Sequence, residues 1–145
     1  MSSAIGYRDQ FFNVTNQRFE NLIEFALEVG SQIADSDQQK LYVESLRDKA
    51  KNTYYRGYDL SIETEWPSRD ERKFWSKVLF DVAHLIYQRK LGGQDAQFWQ
   101  YSAIGEAYLF ARLISRSVRD EEPGWWPTTL ASEEATAFHK LNVRL

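Results

Sequence analysis

The sequence predicts an all-α domain: a helical bundle of four main helices plus a short C-terminal helix. Three observations carry that prediction. Residues 98–118, FWQYSAIGEAYLFARLISRSV, are apolar at helical spacing over most of a helix's girth. Three other stretches repeat apolar residues at the same period, and two of them open on capping-box patterns. The chain has only three prolines and seven glycines, mostly between these runs, which disfavours a turn-rich β fold.

At 145 residues the chain is long enough for one domain with a proper core. Residues 1–12 read as a loosely held N-terminal arm, pinned by Phe11 and Phe12, and 13–145 as a single helical domain. The first helix is expected from about Val14 to Ala34. Phe19, Leu22, Ile23, Ala26, Leu27, Val29 and Ile33 share its inner face, with Gly30 among them. Glu20, Glu24 and Glu28 line the opposite face at i, i+4 and i+8, and Asp35 follows. Like charges so spaced disfavour an isolated helix slightly, so something is expected to offset them. Arg112, Arg116 and Arg119, or Lys73 and Lys77, are candidates within the fold. A solvated face and a basic partner are the alternatives.

Ser36 and Gln39 form a capping box for a second helix reaching about Tyr55. Its inner face is Tyr42, Val43, Leu46, Ala50 and Tyr54. The linker 56–67 contains an alternating run, Leu60 to Trp66, that suits a short extended segment. No second alternating run is evident to pair with it, so no sheet is expected. Ser68 and Glu71 cap the third helix, which is expected to stop at Gly92 and Gly93. Asp95 then caps the central helix, 98–118, as an antiparallel neighbour of the third. Gly105 allows another helix to approach the central one closely. Glu106 lies on its apolar side, between Trp99, Phe110 and Leu113, where a carboxylate is costly unless paired or protonated. Glu106 and Arg112 are the candidate buried polar residues. Arg112, Arg116 and Arg119 form a basic stripe on the same helix. Beyond it, Pro123, Gly124 and Pro127 break regular structure around Trp125 and Trp126. These tryptophans either lid one end of the bundle or anchor a partner. A last helix, capped by Ser132, is expected from about Glu133 to Leu141, docked by Ala135, Phe138 and Leu141.

Little in the chain suggests catalysis, and no catalytic residue is assigned. His84 and His139 are the only histidines. Asp81 and His84 have the spacing used in di-iron bundles, but His139 lacks the matching acid, so neither metal nor cofactor is expected. No P-loop, nucleophile elbow, HExxH or dinucleotide fingerprint occurs. Tyr54, Tyr55 and Tyr58 beside Arg56 raise the question of nucleic acid, but the charge around them is mixed. The net charge of −3 argues against general nucleic-acid affinity. Cysteine is absent, no run reaches membrane-spanning length and the N-terminus lacks an apolar signal core, which together point to a cytoplasmic protein without a membrane partner.

The expected function is non-enzymatic protein binding. An acidic domain rich in aromatics, with five tryptophans, eight tyrosines and nine phenylalanines, fits an immunity- or antitoxin-type, or anti-defence, inhibitor covering a basic site on a partner protein. Glu20, Glu24, Glu28, Asp35, Trp125 and Trp126 are the candidate partner-binding residues. Two alternatives are a small-molecule-binding or catalytic bundle centred on Glu106, with Trp99 and Tyr101, and a structural homo-oligomer subunit.

Overall fold

The computed structural model describes residues 2–88, 91 and 97–127, with residues 56 and 97–102 described by backbone alone. Its elements are β1 (Ser2–Tyr7), β2 (Gln10–Thr15), α1 (Asn16–Ile33), α2 (Asp37–Asn52), β3 (Asp59–Ser61), α3 (Ile62–Glu65), α4 (Arg69–Tyr87) and α5 (Gln97–Arg119). A short 3₁₀ turn, Tyr54–Arg56, leads from α2 towards β3.

The all-α expectation is therefore wrong: a three-stranded mixed sheet, ordered β2-β1-β3, packs with the helices. The stretch read as a loose arm is its hairpin. β1 and β2 pair antiparallel from Ser2 opposite Thr15 to Tyr7 opposite Gln10. The turn between them is Arg8-Asp9, with Arg8 in the left-handed region at φ 55°. A two-residue hairpin turn usually announces itself with glycine or asparagine, and this one carries neither. Ser3, Ile5 and Tyr7 alternate inward while Ala4 and Gly6 face out, a period-two pattern too short and too small in side chain to stand out. β3 pairs parallel with β1, Ile5 opposite Leu60. Of the alternating run Leu60–Trp66 only Leu60 and Ser61 are extended, since Ile62–Glu65 coil into α3, and their partner lies some fifty residues earlier, beyond two helices.

The helices begin where their caps dictate. Thr15 Oγ1 accepts from Arg18 N–H at 3.2 Å, Ser36 Oγ from Gln39 N–H at 3.1 Å and Ser68 Oγ from Glu71 N–H at 3.4 Å. Gln39 reaches back one residue further than expected, accepting from Asp35 N–H at 3.0 Å. α4 ends at Tyr87. The proposed stop at Gly92 and Gly93, the cap at Asp95 and the last helix from Ser132 lie outside the described residues.

α4 and α5 run antiparallel down the middle. Arg72 Nη1 donates to Ser117 O at 2.9 Å, the Ser76 and Ser115 hydroxyls meet at 2.5 Å, and the Phe80 and Tyr108 rings touch edge to face at 5.6 Å. These serines let the two backbones draw close while pairing their own hydroxyls. α5 is buried on almost every side from Ala103 to Val118. Its neighbours, however, are α4, α1, α3 and β1, so part of the wrapping expected from helices is supplied by the sheet. Trp66, at the end of α3 and 2% exposed, is stacked between Trp75 and Phe110, each 5.9 Å away. Gly30 makes room on α1 for this aromatic stack: a Cβ there would sit 3.2 Å from the Trp75 ring. Tyr7 donates to Asp120 at 2.5 Å and Arg72 pairs with Glu121 at 2.6 Å, tying the end of α5 to the hairpin and to α4.

Candidate docking surface

The sequence of α1 divides it into two faces, and the fold uses them differently. Phe19, Leu22, Ile23, Ala26, Leu27, Val29 and Gly30 are buried against α2, α4 and α5. Glu24 and Glu28 project into solvent, with Glu20 half-buried one turn earlier. A groove of about 540 Å³ runs between α1 and α2 beside them, walled by Glu24, Phe25 and Glu28 on one side and Arg47, Lys51 and Tyr55 on the other. The Tyr55 hydroxyl donates to Glu24, so the acidic wall is held at one point by the 3₁₀ turn. Arg47 is engaged by Glu44 of its own helix, and Nη2 also donates to Ser31 Oγ at 3.3 Å.

The basic groups expected to meet the glutamates face elsewhere. The Arg112 guanidinium, half-buried, lies over the Tyr108 ring at 5.7 Å, and that of Arg119 over Trp126 at 4.7 Å. Lys73 pairs with Glu122 at 2.5 Å and approaches the Trp125 ring at 5.9 Å. Among the described residues, neither Glu20 nor Glu28 has an ion pair or hydrogen bond. Asp35 is exposed beyond the C-cap of α1, Ala34, beside Ser36.

Trp125 and Trp126 are not part of this surface. Trp126 rests on Phe80 at 5.5 Å yet remains 44% exposed, and Trp125 is half-buried. With Tyr42, Phe74, Lys73 and Lys77 they line a second groove of about 480 Å³ between α2 and α4. Glu24 and Glu28 on one hand and the two tryptophans on the other therefore line grooves on opposite flanks of α2. Residues spaced a hundred positions apart carry no signal of which groove they share.

Glu106 is 4% exposed and pairs with Arg18 of α1. Loss of water pushes its carboxyl up to about 7, against the opposing pull of the Arg18 guanidinium. A cavity of about 30 Å³ adjoins it, lined by Asn21, Leu22, Phe25 and Ala103. That volume holds a water or two, not an organic ligand. The side chains of Trp99 and Tyr101, invoked with Glu106, lie outside the described residues. Arg18 was not singled out in the sequence, since it stands among polar residues at the start of α1 with nothing local to mark its target.

The tyrosines that raised the nucleic-acid question are committed within the fold. Tyr54 is buried, packs edge-on against Phe19 at 5.9 Å and donates to Glu65 at 2.7 Å. Burial, together with the Glu65 carboxylate, raises its hydroxyl well above the ordinary phenol range. Tyr58 donates to the other oxygen of Glu65, and Lys49 Nζ stands 3.6 Å from the same carboxylate. Among the described residues no three His, Cys, Asp or Glu side chains gather as metal ligands. Nor is any helix among them long and apolar enough to cross a membrane. No family model matches the chain, and no characterised protein or solved structure shows a significant similarity to it.

Proposed function

We propose that the protein is a non-enzymatic binding domain that docks a basic protein surface on the acidic face of α1. The observation that carries this reading is the exposure of Glu24 and Glu28, with Glu20 half-buried one turn earlier, while Arg112 and Arg119 of α5 lie over aromatic rings. Among the described residues no ion pair neutralises these glutamates, and Arg47, on the facing wall, is already engaged by Glu44; the row raises the local negative potential and steers a basic partner towards it. Phe25 and Tyr55, which line the same groove, offer the aromatic contact that follows encounter. Trp125 and Trp126, on the other flank of α2, serve a different contact. An immunity- or antitoxin-type, or anti-defence, inhibitor that plugs the basic active site of a toxin or nuclease is the class that best fits this chemistry, and the cysteine-free composition suits the cytoplasm.

The test is affinity capture from the protein's own cells with the native chain and with Glu20→Lys, Glu24→Lys and Glu28→Lys combined. A basic partner held by the native chain, released by moderate salt and lost with the triple variant supports the reading. A partner that both chains retain equally removes the acidic row from the mechanism.

A further inference from the structure

We infer that the free edge of β2 is a self-association surface, on which a second copy of this chain adds its own β2 antiparallel to make a continuous six-stranded sheet. β2 is one of the two edge strands, and among the described residues nothing pairs with its outer side. It is six residues long, Gln10-Phe-Phe-Asn-Val-Thr15, with neither a charge nor a proline in it. Those are the devices by which proteins normally blunt an exposed edge. Phe11 stands on it 65% exposed, the most exposed large apolar side chain among the described residues.

The backbone sets the register. Ala4 lies opposite Asp59 of β3 and its N–H donates to Asp59 Oδ1 at 3.1 Å, so the main-chain groups of Ala4 point towards β3. Asn13 is opposite Ala4 across the hairpin. It therefore belongs to a pair that exchanges no hydrogen bonds, and its N–H and C=O point off the free edge, as do those of Phe11 and Thr15. Across a new antiparallel ladder, residues with outward groups must face residues with outward groups, and the intervening ones face each other. Pairing Asn13 with Asn13 of the second copy uses all three, and sets Phe11 opposite Thr15 and Phe12 opposite Val14. Each phenylalanine then lies beside a β-branched residue, a favourable cross-strand combination, and no charge meets a like charge. Two-fold symmetry of β2 against β2 makes each of these pairs twice. The contact also joins two chains of net charge −3 through an uncharged strand.

The experiment is sedimentation equilibrium of the full chain across micromolar to submillimolar concentration. A monomer–dimer equilibrium is expected. Asn13→Asp and Asn13→Lys, at an exposed position that leaves the fold untouched, each weaken it tenfold or more by setting like charges opposite, and an equimolar mixture of the two restores it. Asn13→Cys, in a chain with no other cysteine, oxidises to a covalent dimer, while Gln38→Cys on the exposed face of α2 does not. A native chain that stays monomeric overturns the inference. So does a dimer indifferent to both charged substitutions, or one that crosslinks equally through residue 38.

Discussion

Glutamates stand on both sides of Phe25 and do opposite things. Glu106, on one side, is sealed against α1 with Arg18 as its partner and a cavity of about 30 Å³ beside it. Glu24 and Glu28, on the other, border an open groove of about 540 Å³. The first carboxylate is a cost that the interior carries, because its charge has lost water and gained one cation. The others keep their water and cost the fold almost nothing, so they are free to serve a partner. Residue type is therefore a poor guide to role; the local dielectric decides it.

That contrast can be broken most forcefully through the core that seals Glu106 in. Trp66→Ala empties the slot between Trp75 and Phe110, and chemical denaturation should show a loss of about 4 kcal/mol. Next in size is the pH dependence. Glu106 binds its proton more tightly in the folded chain, near 7, than an ordinary carboxyl near 4.5. Its contribution to unfolding free energy should therefore fall, by on the order of 3 kcal/mol, as pH rises from about 4.5 to about 7, and level off above. Comparing urea denaturation of the native chain with that of Glu106→Gln isolates it, since the variant should lose that part of the slope. A native chain and variant with identical profiles would place the carboxyl in water.

Arg18→Ala sharpens the same point. It should cost about 2 kcal/mol at pH 8, where Glu106 is ionised, and clearly less at pH 5, where the carboxyl holds its proton. Arg18 is partly exposed, which keeps this below the cost of breaking a fully buried pair. The smallest expected effect is on the open side. Combined Glu20→Lys, Glu24→Lys and Glu28→Lys should move stability by no more than about 0.5 kcal/mol in thermal melts, apart from the loss of the Tyr55 contact at Glu24. If that triple variant proves severely destabilised, the row is a structural element and the contrast with Glu106 disappears.

Much of the helical skeleton is legible in residues close together in the chain. Ser36 and Ser68 mark helix starts because a hydroxyl reaches an N–H only three residues on. The apolar face of α1 and the all-round burial of α5 follow from a period of 3.6. The need of Glu106 for a partner is equally plain, since a carboxylate among apolar neighbours demands one. The sheet is not legible in this way. β1 is made of small and mixed residues, its turn uses Arg8 in place of glycine, and its second partner, β3, is three residues long and distant in sequence.

The sequence by itself determined where α2 and α4 begin, which side of α1 is apolar, and that α5 lies deep, because caps and periodicity act over a few residues. Only the tertiary structure decided that Arg18 answers Glu106, that the arginines of α5 leave the acidic row alone, and that the two candidate grooves flank α2 separately. Those outcomes depend on which surfaces meet once loops have closed. No local spacing encodes that, since the same charge or ring is satisfied equally well by several partners until packing selects one.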